Sequence, residues 1–338
     1  MDVVNVDGIT ASWLSEVLGR DVGELTVERV GTGQIGTCYR LRYDGGTVLA
    51  KLPPPDPAER DMMAGAYRGE VRFYQQVAST VAVRTPRCHH AEIADDSGDF
   101  VLLLEDLSPA EQGDQVAGCT PEQARDAAVN LAGLHGPRWC DPTLLEVDTL
   151  SINGPDDIAL LLEMYGPTTE LFLSALGDLV SPEDAATLRA CVPAIGPWLL
   201  ARQERFGPVH GDYRLDNLLF GDGVWAVDWQ TLSLALPARD LANLVATSLS
   251  PEDRRAHERD VVAAYHRALL GYGVADYPLE LCWEDYVFAM LQVPLVATFG
   301  CAYSTTRTER GDRMFAAMVA RGCAAIRDLG TLGLVTGI

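Results

Sequence analysis

The first third of the chain alternates apolar and polar positions with a period of two, which is typical of strands with one buried face. Alternating stretches cover 38–43 and 47–52, and Asp44-Gly45-Gly46 between them is a strong signal for a hairpin turn. An earlier stretch, 25–30, and the continuous apolar run 100–104 are also of strand length. The pattern therefore predicts a small antiparallel sheet.

The rest of the chain follows a helical period, with apolar residues three and four positions apart. Thr120 is a favourable N-cap and Pro121 suits the first helical position, so a helix is expected from there to about His135. The N-terminal part contains two predicted helices, 11–18 after Thr10 and 66–74. The other predicted helices cover 156–165, 170–176, 182–205, 252–270, 283–299 and 310–329.

The succession of strands and then helices predicts an α+β protein of two lobes. The chain has 338 residues, 48% of them hydrophobic and 22% charged, which is enough for a substantial core. The change of pattern after the apolar run 100–104 marks a hinge. We expect an N-terminal nucleotide-binding lobe over residues 1–107 and a C-terminal catalytic and substrate-binding lobe over residues 108–338.

Charge and cysteine usage exclude some classes of protein. A net charge of -22 with no basic stripe disfavours nucleic acid as a partner, whereas it suits a cationic substrate or serves solubility alone. The eight cysteines lie singly, without the paired spacing of a zinc ribbon. No apolar run approaches the roughly 18 to 20 residues of a membrane span, and the start of the chain is acidic. A soluble, cytoplasmic protein without a membrane partner is expected.

Three polar residues have the spacing of a phosphoryl-transfer site. Kinase chemistry uses an Asp that accepts the proton of the attacking hydroxyl, and an Asn and a second Asp that bind magnesium. Asp212, Asn217 and Asp228 fit these roles in that order. A single acidic residue is more often a solvated loop residue, but the spaced set favours the catalytic interpretation. The segment 218–227 between them reads as a hairpin that turns at Gly221-Asp222-Gly223.

A glycine-rich loop and a lysine precede this set. Gly31, Gly33 and Gly36 form a G-x-G-x-x-G pattern, which is weak evidence alone and also occurs in dinucleotide-binding folds, where it opens a helix. Here the alternating pattern that follows predicts a strand, so the glycines are expected to form a flap over phosphates. Lys51 then suits a phosphate-neutralising role, with Glu70 as its ion-pair partner.

The predicted hinge is a candidate for binding adenine. Glu105 to Leu107 follow a strand directly, and backbone groups there could pair with the base without any particular side chain. Glu105 and Leu107 are therefore included in the predicted nucleotide site. Glu105 and Asp106 are equally acceptable as ordinary polar residues at a strand end.

These residues resemble the aminoglycoside phosphotransferase and choline kinase superfamily, and the Asp228-Trp229-Gln230 form looks most like its ecdysteroid-kinase-like branch. Leu131 to His135 and Pro237 to Ala242 extend the resemblance from about residue 27 to 247. Protein kinases have Asp-Phe-Gly where this chain has Asp-Trp-Gln, and their Ala-Pro-Glu signature is missing, so a protein substrate is less expected.

The resemblance implies a bilobal protein-kinase-like fold and an ATP-dependent, magnesium-dependent kinase. It implies Asp212 as catalytic base, Asn217 and Asp228 as magnesium ligands, and the Lys51–Glu70 pair on the phosphates. Asp240 would support the catalytic loop, and His210 would fix that loop by hydrogen bonding.

The acceptor and two other functions stay open at this point. An aminoglycoside, amino sugar, choline-like, steroid or hydroxyacyl alcohol is permitted, as is GTP in place of ATP, and the oligomeric state is unknown. A nucleotide-binding pseudokinase or, less expected, a protein Ser/Thr kinase are the alternatives. Acceptor contacts are expected after residue 240, where core packing is the commoner role of such side chains. The candidates are Trp283, Tyr286, Phe288, Phe299 and Tyr303, with Glu284 and Asp285 for charge.

Overall fold

The computed structural model describes residues 5–30, 36–304 and 307–337. The chain forms two compact units. The first contains the chain up to Thr80, Thr85–Ala110 and Val227–Leu232, and the second contains Val81–Arg84, Glu111–Ala226 and the chain from Ser233 onward. The short segment Val227–Leu232, which carries Asp228, thus belongs to the same unit as Lys51.

The first unit is built on an antiparallel sheet of five strands in the order β1-β2-β3-β5-β4. The strands are β1 (Leu25–Val30), β2 (Thr37–Tyr43), β3 (Gly46–Leu52), β4 (Cys88–Ile93) and β5 (Phe100–Glu105). The predicted antiparallel sheet is confirmed. Strand β4 was not predicted, because all six of its residues are half-buried and neither the alternating nor the continuous apolar pattern is present.

Two helices belong to the first unit, α1 (Ala11–Leu18) and α2 (Pro57–Arg72). Thr10 caps α1 as expected, through the amide of Trp13. Helix α2 begins nine residues before the predicted start, because the Asp56 side chain accepts the amides of Ala58 and Glu59 and Pro57 fits the first helical position. Residues 73–80 continue it as π and 3₁₀ turns. The sheet core includes Leu14, Leu41, Val48, Ala50 and Val101.

The second unit is mostly helical. Its helices are α3 (Pro121–His135), α4 (Pro155–Leu176), α5 (Pro182–Cys191), α6 (Ile195–Leu200), α7 (Ala238–Ser248), α8 (Pro251–Gly271), α9 (Leu279–Phe288), α10 (Gln292–Ala302), α11 (Glu309–Leu329) and α12 (Thr331–Thr336). Helix α4 is continuous across Pro167, where two helices were expected. The expected helix 182–205 is instead divided into α5 and α6 by a 3₁₀ turn at Val192–Ala194, where Pro193 lies.

Five short strands complete the second unit. They are β6 (Glu111–Gln112), β7 (Gly207–Val209), β8 (Leu218–Phe220), β9 (Val224–Ala226) and β10 (Ser233–Ala235). The predicted hairpin is confirmed as β8 and β9, which pair antiparallel with Leu218 opposite Ala226. β6 extends this hairpin to three strands, and β7 pairs with β10. The hairpin places Asn217 immediately before β8.

One stretch of the described residues, Leu279–Ala302, is long and apolar enough by length and composition to cross a membrane. This corrects the expectation that no apolar run approaches such a length. It comprises α9, the 3₁₀ turn Ala289–Leu291 and α10, and 72% of its most apolar window is buried against the protein. A helix buried to this extent is typical of a protein core. The α+β class with an antiparallel N-terminal sheet and a helical C-terminal part is confirmed.

Candidate active site

Lys51 lies in the first unit between two carboxylates. Its ammonium nitrogen Nζ is 2.6 Å from Oε2 of Glu70 on α2 and 2.9 Å from Oδ1 of Asp228. The side chains of Lys51 and Glu70 are buried, whereas Asp228 is 41% exposed. The structure therefore brings together the two predicted partners and adds the predicted metal ligand to the same group.

The carboxylates keep this lysine charged. Burial acts to lower the pKa of Lys51, but the negative charges of Asp228 and Glu70 outweigh it and raise the pKa above its ordinary value. Burial also raises the pKa of Glu70, and the neighbouring Asp228 acts in the same direction while Lys51 opposes both. Two carboxylates around one ammonium leave net negative charge, which suits a further cation at Asp228.

Each residue of the segment Asp228-Trp229-Gln230 contacts another part of the first unit. The Trp229 ring stacks on Phe73 at 3.6 Å between centroids, and its indole nitrogen donates to the hydroxyl of Thr85. The Gln230 amide donates to Oε2 of Glu70 at 3.3 Å. The sequence did not predict that Gln230 donates a hydrogen bond to Glu70, because the two residues are 160 positions apart and no local pattern signals such a contact.

Asp228 has φ +68°, a left-handed backbone conformation that a residue with a side chain rarely adopts. Such strain persists where surrounding contacts fix it and is frequent at functional sites. Here the Lys51 ion pair and the stacked Trp229 provide those contacts. The strained turn is what directs the Asp228 carboxylate to Lys51.

The predicted flap is described only at its end. Gly31 and Gly33 lie outside the described residues. Gly36 has φ +78°, and a Cβ there would lie 3.1 Å from the carbonyl oxygen of Leu52. Both facts require a glycine at this position, immediately before β2.

Part of the backbone at the predicted hinge is already hydrogen-bonded within the protein. The amide of Glu105 donates to the carbonyl of Arg87 at 2.8 Å, and the Glu105 carboxylate accepts the Arg87 amide at 3.1 Å. The Leu107 carbonyl accepts the amide of Ala110. Within the described chain the amide of Leu107 donates to no acceptor.

In the second unit, Asp240 at the start of α7 holds the predicted catalytic loop, residues 210–217. Its carboxylate accepts the amides of His210 at 2.6 Å and of Gly211 at 2.9 Å, and lies 3.3 Å from Nε2 of His135. Gly211 has φ +83°, which a glycine adopts without strain. Nδ1 of His210 accepts the amide of Asp212 at 3.3 Å. These contacts match the supporting roles that the resemblance implied for Asp240 and His210.

Asp212 and Asn217 are in direct contact. Nδ2 of Asn217 donates to Oδ2 and to the main-chain oxygen of Asp212, both at 2.9 Å. The five-residue spacing is met by a 3₁₀ turn over Leu215–Asn217, which turns the Asn side chain back onto the loop. Because the amide nitrogen is engaged, the side-chain oxygen of Asn217 points away from Asp212.

Arg214 is a third member of this loop that sequence reasoning missed. Its Nε lies 2.9 Å from both carboxylate oxygens of Asp212, and one of its terminal nitrogens lies 3.3 Å from Asp216. Burial acts to lower the pKa of Arg214, but Asp212 and Asp216 raise it above its ordinary value. An Arg two residues after an Asp is too common a pattern to predict this contact.

The predicted acceptor residues lie in different environments. Tyr286 and Phe288 are fully buried in the core. Asp285 is fully buried too and pairs with Arg202 and Arg205, so its charge is already compensated. Tyr303 is 56% exposed and stacks on Phe299. Trp283 lies under the guanidinium of Arg259, and its neighbour Glu284 is exposed.

The two predicted magnesium ligands, Asn217 in the second unit and Asp228 in the first, each offer a side-chain oxygen of the kind that Mg²⁺ binds. Mg²⁺ prefers oxygen ligands, often one or two carboxylates supplemented by phosphate and water. The side-chain oxygen of Asn217 accepts no hydrogen bond from a described residue, and Asp228 presents a partly exposed carboxylate. The two groups of residues are of the types that a kinase-like phosphotransferase uses.

The profile of the phosphotransferase enzyme family matches residues 26–278 of this chain. The chain belongs to the phosphotransferase enzyme family, and the predicted superfamily and enzyme class are confirmed. Curated proteins give no significant match.

Solved structures share the fold. A choline kinase from Cryptosporidium parvum has a TM-score of 0.61 at 11% identity, with 92% of each chain covered. An aminoglycoside 2'-phosphotransferase IIIa in its GDP complex has a TM-score of 0.57 at 15% identity, covering 92% of this chain and 96% of that one. A Ralstonia eutropha protein proposed to be an aminoglycoside phosphotransferase has a TM-score of 0.56 at 17% identity, covering 94% and 97%. The kinase-like fold is confirmed by these similarities.

Proposed function

We propose that this protein is an ATP- and magnesium-dependent kinase that transfers the γ-phosphate to a hydroxyl group of a small molecule. The observation that carries the proposal is the buried Lys51 ammonium held by Glu70 and Asp228. Such a cation suits the phosphates of a nucleotide, and a partly exposed carboxylate beside it suits their metal ion. A pseudokinase would not need to retain Asp212 and Asn217 as well.

Each residue has a role in this reaction. Asp212 accepts the proton of the acceptor hydroxyl as its oxygen bonds to the γ-phosphorus and the bond to the β-phosphate breaks. Lys51 neutralises phosphate charge, Glu70 and Gln230 hold Lys51, and Asn217 and Asp228 bind magnesium. The metal supplies charge neutralisation on the phosphates when bound. The flap at Gly31, Gly33 and Gly36 and the hinge at Glu105 to Leu107 complete the nucleotide site.

For the acceptor we propose a hydroxyl compound of the kinds that similar proteins are named for. The choline kinase and the aminoglycoside phosphotransferases have amino alcohols in their names, and the net charge of -22 suits a cationic acceptor. The ecdysteroid-kinase-like form of Asp228-Trp229-Gln230 supports a steroid or hydroxyacyl alcohol equally.

The test is magnesium-dependent nucleotide consumption with ATP and with GTP against aminoglycosides, amino sugars, choline, steroid alcohols and hydroxyacyl thioesters. Asp212→Asn is the blank and is expected to lose at least roughly a hundredfold in kcat while it binds nucleotide normally. Asp228→Ala is expected to weaken metal-nucleotide binding itself. Full activity of both variants on a true acceptor would refute the site assignment, and ATP binding without turnover on any acceptor would favour a pseudokinase.

A further inference from the structure

We infer that Arg214 is the positioning residue for the candidate base: it holds the Asp212 carboxylate so that Oδ1 faces the acceptor hydroxyl. The inference rests on the proposed function, since it takes Asp212 to be the base. No other cationic side chain in the described part of the chain pairs with Asp212. The Arg214 side chain is 14% exposed and that of Asp212 is 20% exposed, so the contact is largely shielded from solvent.

The two carboxylate oxygens of Asp212 are not equivalent. Oδ2 accepts two hydrogen bonds, one from Nε of Arg214 and one from Nδ2 of Asn217. Among the described contacts Oδ1 accepts only the one from Nε of Arg214. An ionised carboxylate has about four acceptor positions, so Oδ1 retains the greater capacity for a hydroxyl proton. Removal of Arg214 would leave Asn217 as the only side chain that orients the carboxylate.

Arg214 is itself held in place by residues distant in sequence. Its other contacts are Asp216 at 3.3 Å and the sulfur of Met314 on α11 at 3.3 Å. The Asp216 carboxylate accepts a hydrogen bond from the backbone amide of Gln115 at 2.9 Å. It also accepts one from each terminal nitrogen of Arg310 on α11, at 2.9 and 3.0 Å. The charges thus alternate along Arg310, Asp216, Arg214 and Asp212.

The anchor of this series lies beyond the part of the chain that the family profile matches. The profile ends at residue 278, whereas Arg310 and Met314 belong to α11, Glu309–Leu329. A helix outside the matched region, α11, therefore holds the arginine that orients the base. We expect a mutation on α11 to change turnover although it touches neither reacting group.

The test compares steady-state kinetics of Arg214→Gln, Arg214→Lys, Arg310→Gln and Asp212→Asn on an acceptor that the panel identifies. Arg214→Gln is expected to lose about 10- to 100-fold in kcat, as a misplaced catalytic group does, with the KM for nucleotide unchanged. Arg214→Lys retains the charge and is expected to lose less. Arg310→Gln, on the exposed end of the series, is expected to lose least. Methylguanidinium added to Arg214→Ala is expected to restore part of kcat.

The matched control is Arg327→Gln, which removes ion pairs to Glu183 and Asp184 from the same helix α11 but lies away from the loop. It should keep the kcat of the parent. A kcat for Arg214→Gln within twofold of the parent overturns the inference while Asp212→Asn stays inactive. An active Asp212→Asn variant instead overturns the proposed function. A fall in thermal stability of Arg214→Lys with kcat unchanged also overturns the inference, because that is what a purely structural role predicts.

Discussion

Lys51 in the first unit and Asp212 in the second are both charged groups held by oppositely charged or polar neighbours, but their partners differ in sequence distance. Lys51 is held by carboxylates 19 and 177 residues away. Asp212 is held by Arg214 and Asn217, two and five residues away. The lysine site therefore depends on the sheet and α2, whereas the side chains that contact Asp212 directly belong to its own loop, which Asp240 and Arg310 hold from elsewhere in the chain.

The difference extends to burial. The Lys51 and Glu70 side chains are 11% and 2% exposed, so their ion pair is shielded from water. Asp212 is 20% exposed, and the Arg214 that holds it keeps a second carboxylate in Asp216. Loss of the Lys51 ammonium leaves the buried carboxylate of Glu70 without a cation. Loss of the Asp212 charge leaves Arg214 still paired with Asp216. The two sites should therefore respond differently to neutralisation.

The largest expected effect is on Lys51→Met, which leaves Glu70 buried without its cation. Removing one partner of a buried ion pair costs about 3 to 5 kcal/mol of the free energy of unfolding. Asp212→Asn should cost less than about 1 kcal/mol. Urea denaturation of both variants measures the contrast, and Lys51→Arg is the charge-preserving control. Equal losses for the two variants would contradict the comparison.

A middle effect is expected for Asp240→Asn, which tests how the catalytic loop is supported. Asp240 accepts two backbone amides, from His210 and Gly211, and an asparagine presents only one oxygen to them. A buried donor left unsatisfied costs about 1 to 3 kcal/mol. We expect that loss in thermal or urea unfolding, together with lower kcat. An unchanged unfolding curve would show that the loop is held by its other contacts.

A smaller effect is expected from the ion pair of Asp106 with Arg40, which lies at the predicted hinge of the first unit. Burial acts to raise the pKa of Asp106, but hydrogen bonds from Arg40 and the Ser108 amide lower it below the ordinary value of 3.8. Stabilisation by a group with a lowered pKa is fully present above its unfolded value and is lost as pH falls through its folded value.

Asp106→Asn should therefore lower stability by about 1 kcal/mol at neutral pH, and the difference from the parent should vanish as pH falls below 3.8. Unfolding curves between pH 7 and the acid limit measure it. Asp99→Asn, which removes the ion pair between Arg60 on α2 and the residue before β5, serves for comparison. A difference that persists at the lowest pH would contradict the ionic origin of the effect.

The same contrast explains what the sequence could reveal. Asp212, Asn217 and the β8–β9 hairpin were predictable because their contacts are local and their spacing is narrow. Glu70 was predictable as the partner of Lys51 only through the order of elements. Gln230, and the contact of Asp228 with Lys51, depend on pairing across more than 150 residues, which no local pattern encodes.

The errors in the predicted elements have local causes. Helix α4 was predicted as two helices on either side of Pro167, but it runs through this proline without a break. Strand β4 was missed because its residues are uniformly half-buried, and the start of α2 was missed because the prolines before it indicated a loop.

Lys51 is also the only lysine among the 26 lysine and arginine residues of the chain. Its ε-amine is shielded and held as a cation, so it is a poor nucleophile while both ion pairs are closed. Acylating reagents therefore have the terminal amine and this single side chain to react with. Beyond the terminal amine, each further acyl group in the intact mass therefore reports that the ion pairs of Lys51 have opened, and no engineered probe is needed.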